Sequence, residues 1–404
     1  ENTFRKQAAL CDITTLTAAC AVLAIVCMPG FALCPTAADG GLLDAVPAAS
    51  SPSSAEGLPD NWIRGTDFFF FHSGDASSAA AIAALSDAVA QLPHLDYAAL
   101  QWMWHQASAT SNNVTDRAGV TPSNENLAIF IDAAHAMGLK VLLKPIVVAP
   151  DGVQMMDLIP SDAAEWFATC TSQMVRLATM ANDHGVEMIA VGVELQLIAV
   201  NASNLPYWST LITTLRDTAP NAELTYCSNP LVLETQNIPF WPLLDHVGVD
   251  LYIPFMDPRK PNASLILQRS EMVAFFTFVL NNRLMSWWAN SSARVSGLRL
   301  LVTESGYPSA NEGMRTPWLS ASAGCVKDWA MNVTAQAAAF SVMFEVLSRH
   351  PTEFGGFVQF YYGSPGDKDY YGDRHEKNST WPCGWTPVGK NASMQVLAGA
   401  YRRR

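Results

Sequence analysis

The chain has 404 residues, half of them apolar and 15% charged, enough to build one barrel-sized core and too apolar for the whole chain to be disordered. A net charge of −12 repels the phosphates of a nucleic acid, so no nucleic-acid partner is expected. A neutral polymer such as a polysaccharide suits this surface better.

In chain order, Arg5 and Lys6 precede an apolar run from Ile13 to Leu33, interrupted by Pro29 and Gly30. The run is long for the apolar region of a signal peptide and just adequate for a bilayer span, which takes about 20 residues. Residues 1–34 therefore read as a signal peptide or a signal anchor, with residues 8–33 as the anchoring stretch. Either sends the rest of the chain into the secretory pathway, to be secreted or displayed on the extracellular face of a membrane. Residues 35–60 are rich in Ala, Ser, Gly and Pro and read as a flexible linker, which leaves 61–404 for the folded domain. Seven Asn-X-Ser/Thr sequons, at Asn113, Asn201, Asn262, Asn290, Asn332, Asn378 and Asn391, agree with that route and are the expected glycosylation sites.

Of the eight cysteines, Cys11, Cys20, Cys27 and Cys34 lie in the leader. Cys170, Cys227, Cys325 and Cys383 remain for structural disulfides, with Cys325–Cys383 the favoured pairing. Neither cysteines nor histidines show metal-ligand spacing, so no metal is expected.

From Trp62 onward, short β-branched or aromatic runs alternate with helical patterns. The strands are expected at Trp62 to Phe70, Tyr97 to Met103, Lys140 to Ile146, Met188 to Val193, Glu223 to Cys227, His246 to Ile253, Arg299 to Thr303 and Gly356 to Tyr361. Helical spacing marks Asn124 to Met137, Ala163 to His184, Pro206 to Thr218, Leu265 to Trp287 and Ala330 to Arg349. The alternation predicts an α/β fold, a single (β/α)8 TIM barrel. A doubly wound open sheet is the alternative, but no Gly-rich phosphate loop follows the first strand.

Chemistry in such a barrel gathers where the strands end, at the C-terminal face. The fourth strand runs directly into Glu194 and the seventh into Glu304. One such glutamate alone is as readily a structural ion-pair partner; two in phase point to catalysis. Retaining acetal hydrolysis needs one carboxyl to protonate the leaving oxygen and a second, about 5–5.5 Å away, to attack the anomeric carbon. Burial and a nearby carboxylate are expected to raise the pKa of Glu194. Tyr252, at the end of the sixth strand, is placed to donate a hydrogen bond to the nucleophile, or else to pack as a rim residue. The second strand ends in Trp102-Met103-Trp104, and of the two tryptophans Trp104 is assigned to the sugar site. Lys144, Asn229, Tyr307 and Tyr361 complete the expected substrate contacts.

With these residues placed, the chain resembles clan A of the glycoside hydrolases, and within it family 113. The resemblance rests on Ala133-Ala134-His135-Ala136-Met137-Gly138-Leu139-Lys140-Val141-Leu142-Leu143-Lys144-Pro145, Val191-Gly192-Val193-Glu194-Leu195, Val247-Gly248-Val249-Asp250-Leu251-Tyr252-Ile253-Pro254 and Thr303-Glu304-Ser305-Gly306-Tyr307. It extends over most of 61–401 and includes a closing Pro387-Val388-Gly389-Lys390 turn. It implies a retaining, cofactor-independent endo-β-1,4-mannanase with Glu194 as acid/base and Glu304 as nucleophile. Two positions depart from the clan pattern. Val193 stands where most members carry an Asn that bonds the sugar 2-hydroxyl, and Tyr361 lies where many place a tryptophan. Two further readings remain: a non-catalytic carbohydrate-binding barrel, and a clan glycosidase or transglycosylase acting on another β-glycan.

Overall fold

Eight runs pair in parallel and close on one another in sequence order. They are β1 (Ile63–Phe70), β2 (Tyr97–His105), β3 (Lys140–Val148), β4 (Met188–Val193), β5 (Glu223–Ser228), β6 (His246–Asp250), β7 (Arg299–Ser305) and β8 (Phe354–Gln359). The computed structural model describes residues 58–150, 153–256, 268–318, 332–362, 386–388 and 390–402. β8 pairs with β1, so the sheet has no open edge and is the expected (β/α)8 barrel. The main helices are α1 (Ala79–Gln91), α2 (Asn124–Ala136), α3 (Ala163–Asp183), α4 (Leu205–Thr218), α5 (Arg269–Leu280), α6 (Val333–Leu347) and α7 (Asn391–Tyr401).

The longest helix shows how local sequence sets an element. Asp162 caps α3 by accepting from Glu165 N, and Trp166, Phe167, Cys170, Met174, Leu177, Ala178 and Ala181 bury one face. Each large side chain so buried contributes about 1.5–3 kcal/mol. The helix expected from 265 to 287 ends its α-geometry at Leu280 and continues as a π-turn, Asn281–Met285. Polar side chains compete for the backbone there: Asn282 Nδ2 donates to Phe278 O at 2.7 Å and Ser286 Oγ to Asn281 O at 2.7 Å.

Inside the barrel the side chains form layers. Tyr97, Ala99, Leu142, Met188, Leu301 and Val358 make a lower apolar layer. Phe69, Ile146, Ala190, Val193, Cys227 and Tyr361 make an upper one. By strand alternation Asp67, Gln101 and Lys144 fall between them, buried and polar. β4 breaks the alternation: its register against β5 shifts between Ala190 and Val193, so both of these face inward. The pairing of β7 also shifts, with β6 just before the Asp250–Glu304 pair and with β8 between Val302 and Ser305. Gly248 lets β6 approach β5, since a Cβ there would lie 2.4 Å from Tyr226 O.

The leader, residues 35–57 of the linker, Asn262, Asn378 and the Cys325–Cys383 pairing lie outside the described residues, while Leu58, expected in the linker, is buried in the core and donates its N–H to Ala400 O at 2.8 Å. Among the described residues no helix is long and apolar enough to cross a membrane. Cys170 and Cys227 are buried free thiols, which corrects the expectation of disulfides for these two: one lies on the inner face of α3, the other inside the barrel. Asn113, Asn201, Asn290 and Asn391 are exposed, whereas Asn332 is half-buried and caps α6 through Ala335 N.

Candidate active site

Glu194 leaves β4 with φ +47°, a left-handed conformation unusual for a side chain other than glycine. Two backbone bonds hold it there: Glu194 N donates to Cys227 O at 2.8 Å, and Leu195 N donates to the Tyr226 hydroxyl at 2.7 Å. Asn229 Nδ2 donates to Glu194 Oε1 at 3.1 Å. Burial, then the charges of Glu304 and Glu234, push the Glu194 carboxyl up to about 8 against the opposing pull of Asn229 and Lys144. At neutral pH it is a carboxylic acid with a proton to give.

Glu304, at the end of β7, is 7% exposed and faces donors on both oxygens. Lys144 Nζ donates to Oε1 at 2.8 Å and the Tyr252 hydroxyl to Oε2 at 2.9 Å. Lys144 also donates to Asp67 Oδ2 at 2.6 Å and to Thr303 O at 3.0 Å, so all three ammonium protons are committed. Burial pushes the Asp67 carboxyl up to about 7, with Lys144 pulling it down and Glu304 adding to the rise. Asp250, on β6, is held well above the ordinary carboxylate range by burial and by Glu304. Thr303 donates its hydroxyl to Asp250 Oδ1 at 2.7 Å.

The structure thus brings together Glu194, Glu304, Asn229, Tyr252 and Lys144, but it gives Lys144 a different task. Fully buried and saturated by protein acceptors, it holds Glu304 rather than reaching for sugar hydroxyls. Two other expectations are corrected. Trp104 is 3% exposed and belongs, with Trp102, to the core between strands and helices, because the inward phase of β2 is set by Tyr97 and Ala99 and continues through Gln101 and Met103. Tyr307 is fully buried, donates to Ile253 O at 2.9 Å and packs on Phe255 at 4.9 Å, so it is core and no wall of the mouth. Tyr361 lies in the upper layer beside Phe69 and Val193, joined to Phe360 by a cis peptide.

The residues missed from sequence are informative. Phe71 stacks on Phe69 at 4.4 Å, and Phe360 meets Phe69 edge-on at 6.5 Å and Tyr252 edge-on at 6.2 Å. With Met103, Val148 and Met155, the half-buried Phe71 and Phe360 give the mouth an apolar, aromatic wall suited to a sugar face. Asp67 had a signal, a lone carboxylate in the run IRGTDFFF; Glu234, in the loop after β5, had none.

A closed parallel barrel with two carboxyls at the ends of β4 and β7 is the frame of the (β/α)8 glycoside hydrolases. Within that class, the chain belongs to Glycoside Hydrolase Family 113, whose model matches residues 68–366. A β-1,4-mannanase of the same family in complex form shares the fold with a TM-score of 0.66 at 21% identity, covering 85% of this chain and 100% of its own. The family's β-mannanase AaManA from Alicyclobacillus acidocaldarius, in complex with ManMIm, gives 0.66 at 21% identity over 86% and 99%. A β-glucuronidase from Ruminococcus gnavus matches at TM-score 0.53 and 10% identity, over 84% of this chain and 50% of its own. A comparison with curated protein sequences finds no match.

Proposed function

We propose that this glycoside hydrolase cleaves β-mannan or manno-oligosaccharides internally, with retention, using Glu194 as acid/base and Glu304 as nucleophile. The observation that carries the reading is the asymmetry of the two carboxyls. Glu304 meets an ammonium and a phenol, both donors, as a carboxylate requires, while Glu194 keeps its proton to about pH 8. In the first step a Glu304 oxygen bonds the anomeric carbon while the glycosidic C–O bond breaks and its oxygen takes the Glu194 proton. Water, deprotonated by Glu194, then attacks the glycosyl ester and releases Glu304. Tyr252 and Lys144 hold the attacking carboxylate in place.

Family membership and the mannanase activity of its solved relatives support mannan over other β-glycans. The exposed sequons Asn113, Asn201, Asn290 and Asn391, together with the apolar leader, support passage through the secretory pathway. The test is reducing-sugar release from mannan, glucan and xylan by wild type and by Glu304→Gln, with the product anomer followed by proton NMR. Release of the β-anomer from mannan, lost by at least about 10⁴-fold in the variant, is the expected result. Unchanged turnover in Glu304→Gln, or initial release of the α-anomer, overturns the assignment.

A further inference from the structure

The loop after β5 contains a carboxylate that the two-glutamate mechanism does not use. Glu234 opens the one-turn helix Glu234–Asn237 and is fully buried. Its Oε1 accepts from the Tyr226 hydroxyl at 2.6 Å, and its Oε2 accepts from Asn229 N at 2.7 Å. Each oxygen therefore grips one support of the acid/base. Tyr226 in turn accepts from Leu195 N, the peptide directly after Glu194. Asn229 in turn donates its side chain to the Glu194 carboxyl.

We infer that Glu234 is a positioning residue for Glu194, fixing its left-handed backbone through Tyr226 and its carboxyl through Asn229, while its charge keeps the proton on Glu194. This rests on the glycosidase reading above and extends it to a third carboxylate. The alternative of a purely structural acid is disfavoured by the wiring. A buried carboxylate is costly unless paired, yet among the described residues Glu234 meets no cation and spends both oxygens on groups that lead to Glu194.

The electrostatics point the same way. The charges that raise Glu194 most are Glu304 from β7 and Glu234 from its own short helix, with Asn229 and Lys144 opposing them; Asp250 and Tyr252 from the β6 side and Tyr226 from β5 also face it. Glu234 itself is pushed up to about 7 by burial, against the pull of its bonds from Tyr226 and Asn229. Near pH 8, where Glu194 would lose its proton, Glu234 is therefore mostly ionised and resists that loss.

The experiment compares wild type with Glu234→Gln and Tyr226→Phe on two substrates, manno-oligosaccharides and a dinitrophenyl β-mannobioside. The aryl leaving group departs without protonation, so a lesion that acts through the acid spares its first step. Glu234→Gln is expected to lower kcat on the oligosaccharide by about 10–100-fold and glycosylation of the aryl substrate far less. The basic limb of its pH profile should move down by roughly one unit, since a like charge has been removed. Tyr226→Phe cuts one support and, by removing a donor to Glu234, also raises that carboxyl, so it should lower kcat and move the limb down by less than Glu234→Gln does. Carbon-13 NMR of carboxyl-labelled glutamate, with Glu194→Gln to assign the resonance, reads the Glu194 titration without turnover. An unmoved Glu194 titration in folded Glu234→Gln overturns the inference whatever the activity. A downward shift in a protein that hydrolyses nothing upholds it while removing the glycosidase reading.

Discussion

Replacing Lys144 by Met tests the frame beneath the site. Lys144 Nζ makes three hydrogen bonds, to Asp67 Oδ2, Glu304 Oε1 and Thr303 O, from a fully buried position. The methionine fills the same volume but leaves two carboxyls without their cation. Removing one partner of such a buried pair costs about 3–5 kcal/mol. Unfolding entropy for roughly 300 residues is about 0.6 kcal/mol per degree, so the Tm should fall by about 5–8 °C. Adding Asp67→Asn removes one of the stranded charges, and the double variant should recover at least about 1 kcal/mol. The sign with pH follows from Asp67. Its folded pKa of about 7 stands above the ordinary 3.8, so its contribution is present at low pH and lost as pH rises through that window. Without Lys144 the folded pKa climbs further, and the deficit of Lys144→Met should be smaller at pH 5 than at pH 8. Calorimetric melts of wild type, Lys144→Met and the double variant at both pH values measure this. A Lys144→Met melt within about 1 °C of wild type, or a double variant no better than the single, refutes the reasoning.

Three further outcomes rest on the same geometry. Since Glu194 donates its proton only while it holds one, kcat/KM on oligosaccharide should fall as pH rises through about 8, and a limb below pH 6 would contradict the raised carboxyl. Val193→Asn places an amide among Phe69, Ala190, Cys227 and Tyr361, so it should lose about 1–3 kcal/mol of stability without gain in kcat/KM; a stable and faster variant would show that this wall accepts a polar contact. Trp104→Phe should lower the Tm and leave KM for mannan unchanged, and a raised KM at unchanged kcat would return Trp104 to the sugar site.

Much of the barrel is legible because strands buried on both faces read as near-continuous apolar runs, as in Met188–Val193, whose bounds coincide with the expectation. The two glutamates are legible for a related reason, since a charge directly after such a run has few places to go but the rim. What misleads is phase. Trp102 and Trp104 are large and near a strand end, but a two-residue period counted from Tyr97 turns both outward and brings Met103 inward. On β4 the period itself fails, because the bulge before Val193 turns that residue inward, and no composition signal announces a bulge. The support from Glu234 is hidden for another reason. It depends on how the loop after β5 folds back, so that a carboxylate far from Glu194 in sequence meets it through Tyr226 and Asn229.

The division of labour between the two glutamates follows from where one cation sits. Asp67, Glu194, Asp250 and Glu304 act on one another in the barrel, and they share Lys144. One ammonium cannot balance four carboxylates in a buried space, so protons must remain on some of them. Lys144 lies 2.8 Å from Glu304 and 2.6 Å from Asp67, while Asp250 receives a hydroxyl and Glu194 an amide. The cation accordingly sits on the β1–β3–β7 side of the mouth, and the proton is retained on Glu194 on the β4 side, away from it and beside Glu234. The same electrostatic imbalance that burdens the fold therefore separates an attacking carboxylate from a proton donor.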